Sequence, residues 1–154
     1  MLCTFRITIS NGYCHPYTYL ELNAAATWKG LTAKVNYHAT EYSGVKNSDG
    51  TYYLELAYGN TLPIWDLGYT LHVGHWNQAG ESDLAAGVEP NYTDWGASIN
   101  KNFKIAGSDG CNAGAGITTS NAKDSYYKNS DPTLDPTYNN IGDTQGYVWI
   151  KRTF

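Results

Sequence analysis

The sequence predicts an all-β protein: one antiparallel, up-and-down transmembrane β-barrel of about eight strands, occupying residues 1–154 as a single domain. Three observations predict it. Apolar and polar residues alternate with a period of two in eight segments, and no helical period is found. Tyr occurs 14 times and Trp 5 times against a Lys+Arg count of 10, a composition that favours strands and interfaces over helices. The aromatic, β-propense run Gly146-Tyr-Val-Trp-Ile-Lys-Arg-Thr-Phe154 has the form of a barrel's closing strand, with Val148, Ile150, Arg152 and Phe154 on one side. No window approaches the roughly 18 consecutive apolar residues of a membrane helix, so any crossing must be made by strands.

Cys3, Phe5, Ile7 and Ile9 alternate with Thr4, Arg6, Thr8 and Ser10 in the first strand. The opening hexapeptide lacks the apolar core and cleavage site of a secretory signal, so 1–16 is an undefined start. Asn11-Gly12 and His15-Pro16 separate this strand from Tyr17 to Ala26. The tight link Thr27-Trp-Lys-Gly30 leads into Leu31 to Glu41, where Leu31, Ala33, Val35, Tyr37 and Ala39 interleave with polar residues.

After the turn Asn47-Ser-Asp-Gly50, Tyr19-Leu-Glu-Leu22 recurs as Tyr53-Leu-Glu-Leu56. The repeat is a β-hairpin, since helical arrays of similar spacing require a 3.6-residue period. The fifth strand, Leu67 to Trp76, sets Leu67, Tyr69, Leu71, Val73 and His75 against Gly68, Thr70, His72 and Gly74. A polar link, Asn77 to Asn91, precedes Thr93 to Lys101, with Trp95, Ala97 and Ile99 on one face. Lys104 to Gly110 reads as a turn, Cys111 to Thr118 as the seventh strand, and 120–145 as a long polar loop.

Short turns at Trp28, Pro63 and Gly107 alternate with the other links, of which the last two are long, as in barrels with one short-turned and one looped rim. The polar residues Glu21, Lys34, Asn36, Glu55 and Lys101 are expected to face the lumen, and Leu54, Leu56, Leu71, Val73, Val35 and Ile99 to face lipid. Trp28 and Trp65 on the short-turn rim, with Trp76 and Tyr92 on the loop rim, are expected to form two interfacial girdles.

A net charge of −4 argues against a nucleic-acid partner. Cys3, Cys14 and Cys111 have no metal-ligand spacing, and a Cys3–Cys14 bridge and free thiols fit equally well. His72 and His75, three apart on a strand, point to opposite faces and cannot share a metal unaided. Glu21 and Glu55 are expected to belong to an interior charge network rather than to a catalytic pair. Asp124, Asp131, Asp135 and Asp143 do not match a calcium loop. With no phosphate-binding loop and no nucleophile elbow, the expectation is a non-enzymatic protein without metal or cofactor.

Thr51-Tyr-Tyr-Leu-Glu-Leu-Ala-Tyr58, the strand Leu67 to Gly74 ending in His-Val-Gly, Tyr92-Thr-Asp-Trp95, and Trp149-Ile-Lys-Arg-Thr-Phe154 occur in an order that resembles the proteobacterial Gcw_chp, or TorF, family of outer-membrane proteins of porin type. The similarity runs from about Tyr17 to Phe154. The chain is shorter than a full member, which leaves open a C-terminal portion preceded by further strands. The resemblance implies a barrel in the bacterial outer membrane, of structural or porin type, with lipid and the barrel-assembly machinery as partners and a homo-oligomer open. It further implies that Val148, Ile150 and Phe154 carry the assembly signal. A closing strand that ends at Phe154 also requires the first strand to pair with Gly146 to Phe154 to remove both edges. The alternative is a soluble, lipocalin-like ligand-binding barrel, which would invert the faces and put its apolar side chains inward.

Overall fold

Alternation at period two becomes a single eight-stranded antiparallel sheet in simple meander order, with each strand paired to its neighbours in sequence. The computed structural model describes residues 1–11, 18–42, 45–80, 90–105, 108–127 and 142–153. Its strands are β1 (Leu2–Asn11), β2 (Thr18–Trp28), β3 (Leu31–His38), β4 (Tyr52–Leu62), β5 (Leu67–Asn77), β6 (Tyr92–Ile105), β7 (Ser108–Ser120) and β8 (Gln145–Arg152), with one short helix, α1 (Asp124–Tyr127), before β8. The chain is thus all-β and up-and-down.

The tightest turn follows from two positive φ angles. Lys29 (φ 48) and Gly30 (φ 86) join the paired residues Trp28 and Leu31, the two-residue geometry whose twist matches that of the flanking strands. A Cβ on Gly30 would collide with the carbonyl oxygen of Gly59, so both backbone conformation and neighbouring chain demand glycine there. Between β3 and β4 the link is built rather than loose. Ser48 and Thr51 are fully buried, the Ser48 hydroxyl donates to the Val45 carbonyl (2.6 Å), and the Thr51 hydroxyl donates to the Ser48 carbonyl (2.7 Å).

Two boundaries differ from the sequence expectation. β6 and β7 run past Lys101 and begin before Cys111, because Asn102 pairs with Asn112 and Phe103 with Cys111 before a bulge between Phe103 and Ile105. These positions carry side-chain hydrogen bonds that hydrophobic periodicity does not register. The start of 120–145, expected as structureless loop, contains α1. Asp131 and Asp135 lie outside the described residues, as do Cys14, Gly107 and Phe154; Cys3 and Cys111 are free thiols.

The sheet curls. Tyr53 and Glu55 on β4, Thr70 and His72 on β5, Ser98 on β6, Thr118 on β7 and Tyr147 on β8 face a common cavity of about 360 Å³. In a flat sheet β4 and β8 would stand roughly 19 Å apart. The polar face is therefore concave and the apolar face convex. Burial is inverted relative to a soluble domain: among the described residues the buried apolar side chains are Cys111 and Ala122, whereas His38, Ser48, Thr51 and Gln78 are buried polar ones. Leu54, Leu56, Leu71 and Ile99 are exposed on the convex face, as are Val148 and Ile150 of β8, while Val35 and Val73 are half-buried there.

The expected pairing of the first strand with Gly146–Phe154 is corrected by the topology. Among the described residues β1 pairs only with β2 and β8 only with β7, so the sheet is open with two free edges.

Candidate functional site

Antiparallel register brings alternate residues of successive strands into rows across the concave face, and three acids there each meet a base on an adjacent strand. Glu21 on β2 lies opposite His38 (Oε2 to Nε2, 3.7 Å), and Glu55 on β4 lies opposite Lys34 (3.6 Å). The two equivalent glutamates of the repeated Tyr-Leu-Glu-Leu segment thus flank β3 from either side, Glu55 in an ion pair with Lys34 and Glu21 beside the His38 imidazole, instead of forming a carboxylate pair.

The third pair is part of a tighter cluster. The Tyr53 hydroxyl lies 3.0 Å from His72 Nε2 and 3.1 Å from both carboxylate oxygens of Asp94, and His72 Nε2 is 3.3 Å from Asp94 Oδ1. Tyr53 reaches from β4 across β5 to β6 because Gly74 intervenes. A Cβ at Gly74 would overlap the Tyr53 phenol and stand 2.7 Å from Asp94 Oδ2. His75 points to the other face, where its Nδ1 meets the Thr93 hydroxyl at 2.9 Å. Replacing Tyr53 by Phe removes the hydroxyl that contacts both His72 and Asp94, and is expected to cost about 1.5–3 kcal/mol, the range for hydrogen bonds to charged groups. Guanidinium unfolding of the folded protein measures it, with Tyr52→Phe as the comparison.

Toward the short-turn rim the concave face holds an amide ladder. Asn112 Nδ2 donates to Asn100 Oδ1 (3.0 Å) and Asn102 Oδ1 (2.8 Å), and Trp149 Nε1 donates to Asn112 Oδ1 (2.9 Å). Trp149 lies over Gly114, and the neighbouring Tyr147 over Gly116.

The loop rim carries an aromatic mouth. Tyr42, Trp76, Gln78, Tyr92, Tyr126 and Tyr127 line a cavity of about 180 Å³. The Tyr126 hydroxyl donates to Gln78 Oε1 (3.1 Å) and the Tyr127 hydroxyl to the Pro90 carbonyl. Burial, and then the adjacent Tyr92 ring, pushes the Tyr127 phenol above its ordinary range.

Glu21, Lys34, Asn36 and Glu55 all sit on the concave face, with Asn36 paired to Asn23 and Tyr53. Lys101 does not. Its partner is Ala113, which in turn faces Ile150, so it shares the convex face with Ile99, near the short-turn end. Its assignment to the lumen is corrected because its parity along β6 is that of Ile99 and not that of Asn100. Trp28 and Trp65 are exposed at the short-turn rim, with Lys29 Nζ 4.9 Å from the Trp28 ring centroid. Trp76 and Tyr92 face each other on the side of Tyr53 and Asp94, so they line the mouth and do not form an outward girdle. Val148 and Ile150 sit on the convex face, and the third proposed signal residue, Phe154, lies outside the described residues.

Sequence reasoning missed Tyr126, Tyr127 and Gln78, which follow no period. The Tyr53–His72–Asp94 cluster carried a usable signal, since all three fall on the polar parity of consecutive strands. Among the described residues no three His, Cys, Asp or Glu side chains converge as a metal cluster.

Neither the curated proteins nor the solved structures contain a significant match to the chain. The family model described as a bacterial protein of unknown function, Gcw_chp, matches residues 6–154, which take in almost every strand of the sheet, and the chain therefore belongs to the Gcw_chp family.

Proposed function

We propose that this chain is a non-enzymatic β-barrel protein of the bacterial outer membrane, of structural or porin type. The observation that carries the reading is the inversion of faces. Large aliphatic side chains stand exposed on the convex side of a curled sheet, with Val148 at 84 % and Ile150 at 74 %, while ion pairs and amides fill the concave side. Such a surface suits hydrocarbon outside and polar filling within. A lipocalin-like barrel calls for the opposite arrangement. No helix among the described residues is long and apolar enough to cross a membrane, so strands are the crossing elements in this reading. The 10 or 11 residues of β1, β2, β4 and β5 suit a tilted span.

Hydrocarbon does not tolerate unpaired backbone groups, so the free edges of β1 and β8 must be paired in the bilayer by further strands or by a second copy. The assembly machinery is the partner that would deliver them there, with Val148, Ile150 and Phe154 as its signal. Deleting Phe154 should then deplete the heat-modifiable folded form from the outer membrane, and a normal yield would refute that signal.

Detergent phase partitioning tests the reading as a whole: the folded chain should enter the detergent phase, and retention in the aqueous phase would favour the soluble barrel. Because side chains occupy the concave face at both rims, single chains in planar bilayers should show no steady conductance. Sustained unitary steps would show that the polar filling moves aside and that open diffusion occurs.

A further inference from the structure

We infer that the aromatic mouth is a binding site for a small quaternary-ammonium zwitterion, a ligand with a compact methylated cation at one end and a hydrogen-bond acceptor at the other. Two independent features point to it, and neither depends on whether the barrel resides in a membrane.

The first is the cage. Tyr42 and Trp76 have ring centroids 5.1 Å apart with planes at 64°, Tyr92 and Tyr127 are 5.3 Å apart at 89°, and Tyr126 and Tyr127 are 4.6 Å apart at 76°. Rings set at steep angles form the walls of a box and not the parallel platform on which a flat ligand stacks. Aromatic rings gathered round one volume attract a cation through their quadrupoles where a face is open to it, and methylated ammonium groups, weakly hydrated, lose least on entering. At about 180 Å³ the cavity is smaller than the roughly 300–1,000 Å³ of sites for drug-sized ligands, which limits the occupant to a few heavy atoms. The sign of the surroundings agrees. Asp94, two residues along β6 from Tyr92, lines an adjoining cavity that shares the Tyr92 ring.

The second feature is an unanswered donor. Gln78 is 8 % exposed and lines the cage; its Oε1 accepts from Tyr126, and its Nε2 has no partner among the described residues. A buried amide donor without an acceptor is destabilising. A carboxylate or hydroxyl on the ligand would satisfy it while the cation occupies the rings. The site is also held in shape before any ligand arrives. The backbone N–H of Gln78 donates to Asn91 Oδ1 (2.8 Å), that of Ala79 to the Thr51 hydroxyl (3.1 Å), and that of Thr93 to Asn121 Oδ1 (2.6 Å), so three connections at this rim are tied together.

Calorimetric titration of the folded full chain tests the site, with glycine betaine, tetramethylammonium and tert-butylacetate as probes. The last matches betaine in shape and carboxylate but has a neutral carbon in place of nitrogen. Betaine should bind saturably and about tenfold more tightly than tert-butylacetate, the difference being the cation–π contribution. Gln78→Met should weaken betaine several-fold and leave tetramethylammonium unchanged, whereas Tyr92→Leu should weaken both. Heat-modifiable gel mobility verifies that each variant is folded. Equal affinity for betaine and tert-butylacetate would reduce the site to an apolar cavity. No saturable binding of any probe by the folded chain would reduce it to packing between loops. Either result overturns the inference.

Discussion

Arginine in place of Leu71 is expected to destabilise the bilayer-embedded protein by about 2–4 kcal/mol, and arginine at the adjacent Thr70 by well under that. Leu71 lies mid-strand on β5 between Tyr58 and Ala97, exposed on the convex face, so a guanidinium there must enter hydrocarbon or drag water in. Thr70 lies between Gly59 and Ser98 and lines the concave cavity that also contains Glu55, which gives the same group polar surroundings and room. Guanidinium unfolding from lipid vesicles measures both variants. Equal losses at the two positions would mean that the convex face does not meet lipid.

The second large effect is steric. A Cβ at Gly114 would stand 2.5 Å from the Ile99 carbonyl oxygen on β6 and overlap the Trp149 indole, so neither a backbone shift nor a rotamer change alone relieves it. Gly114→Val should therefore cost about 1–3 kcal/mol as overpacking and break the Trp149–Asn112 hydrogen bond. Gly59→Ala is the counterpart, since its Cβ would meet Thr70 Oγ1 and the Tyr69 carbonyl at an ordinary 3.6 Å. Equal unfolding midpoints for the two variants would show that the indole does not rest on Gly114.

Strand number, order and most of the face assignment were legible because a strand's period of two survives any change of partner. Glu21 and Glu55 were placed on the polar face by alternation alone, and the structure adds only which base each meets. Lys101 misled because charge was read ahead of parity: near a rim, a long side chain on the convex face reaches water. Trp76 and Tyr92 misled for a related reason. A girdle and a mouth both call for aromatic residues at strand ends, and only register separates them. The rest was not legible in principle. Gln78, Tyr126 and Tyr127 lie in links without periodicity, and their convergence depends on how three loops pack over one rim. Nor does alternation say whether a sheet closes, because β1 and β8 have the same pattern whether their edges are paired or free.

Lipid contact on the convex face is tested most directly by comparing two single-tryptophan variants in vesicles containing brominated phospholipid. Trp95 stands exposed on the convex face of β6, opposite Val73, whereas Trp149 lies on the concave face of β8 with its indole N–H on Asn112. Bromine on the acyl chains should quench Trp95 strongly and Trp149 little. Stronger quenching of Trp149, or no quenching of either by a folded chain, would contradict an apolar face turned to lipid.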